Sequence, residues 1–108
     1  MNYSKINIIR DALLNVSDSV WHYEAAEQTE KYIVWAEDGE GNSLHAGNQK
    51  TEQVIQGTID YFTKEEGDLT VDKIENALSI DEISFYLNSV QYEDETGFIH
   101  YEWIWEVI

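Results

Sequence analysis

The clearest alternation of apolar and polar residues lies in the last quarter of the chain, in segments 83–93 and 98–108. Both are rich in β-branched and aromatic residues, which favour strands. Between them, Asp94–Gly97 is an acidic connector whose glycine can adopt positive φ, so the pattern predicts a long β-hairpin. The apolar positions that fall on one face of the second segment are Ile99, Tyr101, Trp103, Trp105 and Val107.

Two segments have the spacing of amphipathic helices instead. The first is predicted to start at a Ser4 cap and to run to about Val16, and the second to start at a Thr70 cap and to end near Ser79. The residues expected to face inward are Ile6, Ile9, Leu13 and Val16 in the first helix and Val71, Ile74, Ala77 and Leu78 in the second.

Three further strands are predicted before the second helix, at Val20–Tyr23, Tyr32–Ala36 and within Thr51–Thr63. Gly57, inside the third of these, indicates a bulge or a close approach of backbones. The order of elements predicts one α+β domain over residues 1–108. It would be an antiparallel sheet of four to five strands with two helices packed on one face.

The net charge of −16, from 22 acidic and 6 basic residues, excludes tight binding to nucleic-acid phosphates. Three interpretations of the acidity stay open: solubility, mimicry of DNA by a protein that inhibits a nucleic-acid-binding protein, and a wall past which DNA slides. The chain has no cysteine, no signal-peptide pattern and no apolar run of membrane-spanning length. A soluble protein made in a cytoplasm is therefore expected.

No catalytic, cofactor or metal site is predicted, and an enzyme is not expected. The glycine-rich segment Glu37–Gln49 is interpreted as either a mobile loop or an extended hairpin arm. Within it, Asp38–Ser43 superficially resembles a calcium loop, but Ser43 occupies the position that needs glycine and the closing glutamate would fall on Gln49. A solvated acidic loop is the better account of those residues. The histidines His22, His45 and His100 have no metal-binding spacing, and no nucleophile elbow or phosphate-binding loop is present.

The second face of the predicted hairpin also carries apolar side chains. The four interface candidates on it are Tyr86, Tyr92, Phe98 and Ile104. Two interpretations are open for them: scattered surface apolar residues, which any protein has, or the core of an association surface, where aromatic residues are enriched.

Three stretches of the sequence together resemble a known family. They are Gln56–Lys64, Thr70–Ile74 and Leu87–Trp103, which form a strand ending in aromatic-Thr-Lys, a helix, a strand, a Tyr-Glu-x-x-Thr-Gly turn and a final aromatic strand. Tyr92, Glu93, Thr96 and Gly97 match that turn. This pattern, over residues 32–108, resembles small prophage proteins of Gram-positive bacteria that are similar to tail terminator, or tail completion, proteins of long-tailed phages.

The resemblance implies a virion protein without cofactor or active site. Family members form a ring, typically a hexamer, that caps the tail tube and docks to the head connector. It thus implies three partners, namely further copies of the chain, the tail-tube protein and the connector. Because of the like charge, weak or no self-association is expected in free solution. The protein would reside in the host cytoplasm during assembly and then at the head–tail junction.

In such a ring, carboxylates along the lumen would keep passing DNA from sticking. The loop residues expected to face the lumen or the tube are Glu37, Asp38 and Glu40, and a second exposed acidic group is expected at Glu65, Glu66 and Asp68.

Overall fold

The computed structural model of the protein describes residues 2–40 and 54–108, and the predicted α+β class is confirmed. Helix α1 is followed by three strands, helix α2 and the two strands of the terminal hairpin. The bounds are α1 Tyr3–Leu14, β1 Val20–His22, β2 Lys31–Glu40, β3 Ile55–Thr63, α2 Thr70–Leu78, β4 Ile83–Glu93 and β5 Phe98–Val107. Residues 41–49 of the predicted long loop, with His45, and the first residues of the third predicted strand lie outside the described ranges.

The five strands form one sheet in the order β1-β2-β3-β5-β4. All neighbours are antiparallel except β1 and β2, which are parallel, so the prediction of an antiparallel sheet is wrong at this edge. A parallel pair requires the chain to return across a face of the sheet before the second strand begins. Residues 23–30 make that return, starting at Tyr23, whose φ is +75°.

The two faces of the sheet differ in what covers them. On the helix side, both helices pack on alternate residues of the strands. Trp103 and Trp105 lie in the core there, as the sequence predicts. On the opposite face, termed the open side, no helix packs within the described ranges. The fully buried large side chains are Ile6, Ile9, Leu13, Ile33, Ile55, Ile59, Tyr61, Ile74, Leu78, Trp103, Trp105 and Val107.

The first helix starts one residue earlier than its predicted cap. Asn2 is the N-cap, and its side-chain Oδ1 accepts a hydrogen bond from the Ser4 backbone N–H at 3.1 Å. An Asn side chain is as good an N-cap as Ser, and Asn2 is the one placed before the first helical turn. Ser4 instead lies inside that turn and donates its hydroxyl to Asn2.

Gly57 is a site of close backbone approach, one of the two alternatives that the sequence left open. A Cβ at this position would collide with the carbonyl oxygen of Ala36 and with the ring of Trp105. The ring therefore lies directly over the Gly57 backbone, in space that any side chain would fill. The irregularity is in the neighbouring strand, where the register shifts between Glu37 and Gly39.

The start of α2 depends on Asp68, which is buried rather than exposed as the sequence had suggested. Its carboxylate accepts hydrogen bonds from Tyr61 Oη at 2.6 Å, Thr63 Oγ1 at 2.7 Å and the Thr70 N–H at 2.9 Å. Burial opposes the charged form, but these hydrogen bonds outweigh burial and lower the pKa of Asp68 well below its usual range. The predicted Thr70 cap is wrong, because the N-cap residue is Leu69 and Thr70 is the first helical residue. Asp68, just before the N-cap, instead ties the start of α2 to β3.

Replacement of Asp68 by alanine is expected to lower the free energy of unfolding by about 3 kcal/mol, because it leaves buried hydroxyls and a helix N–H without an acceptor. Urea denaturation measures the loss. The matched control is Glu66→Ala, an exposed carboxylate two residues away, which should change stability by less than about 0.5 kcal/mol. Equal effects of the two substitutions would contradict the structural role of Asp68.

The terminal hairpin has the turn that the sequence predicts. Gly97 has a φ of +77°, and its N–H donates to the Glu93 carbonyl at 2.8 Å. No atom lies within 4 Å of the position that a Gly97 Cβ would take, so the demand for glycine comes from the backbone conformation and not from crowding.

Because of that positive φ, Gly97→Val is expected to destabilise the protein by about 1–3 kcal/mol. The control is Gly97→Asn, which should cost only about a few tenths of a kcal/mol because asparagine tolerates the left-handed region. Thermal melting of both variants measures the difference. Equal melting temperatures for the valine and asparagine variants would contradict the turn geometry.

Candidate functional site

A bulge at Asn88 divides the edge strand β4 into two halves with opposite side-chain phase. Leu87 pairs with Trp103 and Ser89 with Glu102, so Asn88 has no partner in the register, and its amide donates to the Glu102 carboxylate at 2.8 Å. One extra residue moves every later side chain to the other face. The sequence contained this signal, because the apolar positions change from odd (83, 85, 87) to even (90, 92) at that point.

The bulge overturns the predicted position of Tyr92. This residue pairs with Ile99, on the helix side, and does not share a face with Tyr86, which pairs with Ile104 on the open side. Strict alternation with a period of two had put both tyrosines on one face. The interface candidates are therefore split between the two faces of the hairpin.

On the helix side, the far half of β4 exposes three large apolar side chains that neither of the two described helices covers. They are Leu87, Val90 and Tyr92, at 42%, 51% and 65% exposure, and together they are termed the hairpin patch. Their cross-strand partners are Trp103, Tyr101 and Ile99. Exposed apolar side chains that lie together, unlike scattered ones, mark association surfaces.

The hairpin patch belongs to a part of β4 without charge. Residues 83–92 contain no acidic or basic side chain, although the chain as a whole carries 28 of them, 22 acidic and 6 basic. Edge strands that must not associate are usually protected by lysine, by proline or by a bulge. Of these, β4 has only the bulge, and the bulge also gathers the apolar side chains on one face.

The other three interface candidates lie on the open side but differ in accessibility. Tyr86 is exposed and Ile104, beside it, is half-buried. Phe98 is buried, because its ring packs edge-on against Tyr32 and Phe62 while Lys64 Nζ lies 5.0 Å from its centroid. Phe98 is therefore a structural residue of a small aromatic cluster on the open side.

His100 joins that cluster to two carboxylates. Its ring stacks on Phe62 with centroids 4.3 Å apart, Nε2 lies 2.7 Å from Asp60 Oδ1, and Nδ1 lies 4.0 Å from Glu93 Oε2. The hydrogen bond to Asp60 raises the pKa of His100, against the opposing effect of partial burial. Glu102 adds a smaller effect in the same direction.

Because the pKa of His100 is raised in the folded protein, protonated His100 stabilises the fold fully at pH values below its pKa of about 6.5 in the unfolded chain. This stabilisation is lost as the pH rises through the pKa of His100 in the folded protein. The free energy of unfolding of wild type minus that of His100→Gln should therefore be larger at about pH 6 than at about pH 9. Urea denaturation at the two pH values measures it. In an Asp60→Asn background the pH dependence should largely vanish, and a pH-independent difference in wild type would contradict the ion pair.

The predicted loop carboxylates are part of strand β2, not of a loop. Glu37 is almost buried at its side chain, where Tyr23 Oη donates to Oε2 and His22 Nε2 lies 2.7 Å from Oε1. Burial alone would raise the pKa of Glu37, but hydrogen bonds from Tyr23 and His22 outweigh it and lower the pKa. Glu37 is therefore not an exposed carboxylate, whereas Asp38 and Glu40 are exposed.

At the sheet edge opposite β4, a groove of about 220 Å³ lies between α1 and β1. It is termed the α1 groove, and its lining includes Tyr3, Asn7, Arg10, Leu14, His22 and Trp35. Tyr3 and Leu14 are exposed at 63% and 48%. The His22 ring is fixed between Trp35 and Tyr23, with centroid distances of 3.9 and 3.8 Å.

Within the described ranges, no three His, Asp or Glu side chains come together as a possible metal-ligand set. Neither of the two described helices has the length and apolar composition that a bilayer span requires. What the geometry offers is contact surface: an exposed apolar patch at one edge of the sheet and a groove at the other.

No protein-family model and no curated protein matches this chain.

Proposed function

We propose that this chain is a structural protein of a long-tailed phage that caps the tail tube and joins the tail to the head as a ring. The phage assignment rests on the resemblance of the strand–helix–hairpin motifs to tail terminator proteins. The same resemblance implies the tail-tube protein and the head connector as partners. It also implies a place at the head–tail junction of the virion and no enzymatic activity.

The observation that supports an assembly role most directly is the uncharged part of the edge strand β4. In a chain of net charge −16, residues 83–92 carry no charge and expose Tyr86, Leu87, Val90 and Tyr92. A monomeric protein gains nothing from four large apolar side chains on an open sheet edge, which is the feature that natural sheets protect. The strand is suited to contact with another protein.

The charge supports the remaining features of the proposal. Like-charged monomers repel one another at low ionic strength, where the Debye length reaches about 30 Å, so the free protein should be monomeric or weakly associated. Assembly would then occur on the end of the tube, which holds the subunits at high local concentration. Exposed carboxylates such as Asp38 and Glu40 would repel DNA that passes through the ring.

The direct test is to mix the purified protein with tail tubes of the same phage at physiological salt and to examine tube ends by electron microscopy. Rings at the tube ends, together with monomers in sedimentation of the protein alone, are expected. A stable hexamer at micromolar concentration and low salt would contradict assembly on a template, and bare tube ends would contradict the function.

A matched pair of variants separates the role of surface charge from that of folding. Asp38→Lys/Glu40→Lys should leave the melting temperature nearly unchanged, because exposed charges contribute less than about 1 kcal/mol, but should slow DNA passage in phage that carry it. Glu37→Lys should instead unfold or destabilise the protein, since it removes the carboxylate that Tyr23 and His22 contact and puts an ammonium group in its nearly buried place. Recovery of a host nucleic-acid-binding enzyme, and no tail protein, in a pull-down would favour the DNA-mimic alternative.

A further inference from the structure

We propose that the ring contact joins the hairpin patch of one copy to the α1 groove of the next. This inference rests on the proposed function, and it names the two surfaces that meet. The hairpin patch is Leu87, Val90 and Tyr92 on β4, and the α1 groove lies between α1 and β1.

The first argument is the position of the two surfaces in the sheet. The order β1-β2-β3-β5-β4 places β1 and β4 at opposite edges. The hairpin patch and the α1 groove both lie on the helix side, as the pairings of Val90 with Tyr101 and of His22 with Trp35 show. A contact between different surfaces at opposite edges is heterologous, and heterologous contacts are the kind that form rings.

The second argument is charge. The segment Asn2–Arg10 contains Lys5 and Arg10 and no carboxylate, whereas the 98 residues after it hold all 22 acidic side chains and four basic ones. The hairpin patch is followed at once by Glu93, Asp94 and Glu95. This basic segment is therefore matched to an acidic rim, and this gives two strongly acidic copies a favourable orientation.

Charge also disfavours the simplest alternative, a two-fold pairing of β4 with β4 of a second copy. Antiparallel pairing centred on Leu87 and Asn88 would bring Asp81 and Glu82 of one copy opposite Glu93 and Asp94 of the other. Like charges would then meet at both ends of the paired strands, which is destabilising. The α1 groove avoids this conflict.

The third argument is the fit of side chains. The groove is partly apolar, with Leu14 and Trp35 among its lining residues, and its volume of about 220 Å³ is enough for one aromatic side chain such as Tyr92. Tyr3 and Arg10 lie at the same groove, where an aromatic ring and a guanidinium can pack on an incoming tyrosine. The existing ion pair of Arg10 with the adjacent Asp11 is solvent-exposed and therefore weak.

Thiol cross-linking can capture this contact even when it is weak, because the natural chain has no cysteine. Cysteines are placed at Asn7 or Leu14 in the groove and at Val90 or Tyr92 in the patch, all exposed positions. At physiological salt, a short bis-maleimide reagent should convert a chain with one cysteine of each kind into a ladder of oligomers. Mixing a groove-only variant with a patch-only variant should give dimers alone.

The matched control replaces Tyr92→Cys by Tyr86→Cys, which has the same native residue, a similar exposure and the same strand but lies on the open side. It should cross-link to the groove cysteine about tenfold more slowly. Lys5→Glu/Arg10→Glu should slow the patch–groove reaction by about tenfold, while Lys73→Glu on α2 should not. Equal rates for the Tyr86 and Tyr92 positions in all pairings would overturn the inference.

Failure of this inference is distinguishable from failure of the proposed function. Rings on tube ends without patch–groove cross-links would leave the function standing and refute the contact. Cross-linked ladders from a protein that does not bind tail tubes would leave the contact standing and refute the function.

Discussion

The fold depends on the close packing of Trp105 against the backbone of Gly57. These residues are neighbours across β3 and β5, at the centre of the sheet and beneath the helices. Because Gly57 has no side chain, the indole can lie flat against the strand and reach toward the backbone of β2. Tight interior packing of this kind leaves no room for adjustment, so the register of three adjacent strands is fixed around one contact. The helices then cover a sheet whose shape is already determined.

From this fixed centre, the hairpin extends β4 as an edge strand, and the Asn88 bulge decides what that edge presents. Before the bulge, Ile83 and Phe85 face the helices and contribute to the core. After it, Val90 and Tyr92 still face the helix side, but beyond the reach of the helices, so the same face changes from core to exposed surface. The single unpaired residue thereby puts Val90 and Tyr92, rather than Ser89 and Gln91, on the same face as Leu87.

The acidic residues have two separate roles that net charge alone does not distinguish. Glu37, Asp60 and Asp68 accept hydrogen bonds from specific partners and hold β1, β5 and α2 in place. In the proposed ring, the exposed carboxylates, among them Asp38 and Glu40, would set the repulsion between copies and leave residues 83–92 of β4 and the Asn2–Arg10 segment as the surfaces of approach. Charge would thus restrict association to these surfaces by opposing it elsewhere.

The sequence by itself determined what short-range periodicity controls: the two helices, the terminal hairpin with Gly97 in its turn, the α+β class and the burial of Trp103 and Trp105. The tertiary structure alone decided which way β1 runs, that Asp68 and Glu37 are buried, and which candidate side chains share a surface. Each of these depends on partners distant in sequence, such as Tyr23 for Glu37. The sequence does not distinguish a carboxylate that accepts hydrogen bonds from water from one that accepts them from a buried hydroxyl. The side on which Tyr92 lies was encoded as a change of phase at Asn88. Only the pairing of β4 with β5 turned that change into a bulge, because a strand's register is fixed by its neighbour and not by its own residues.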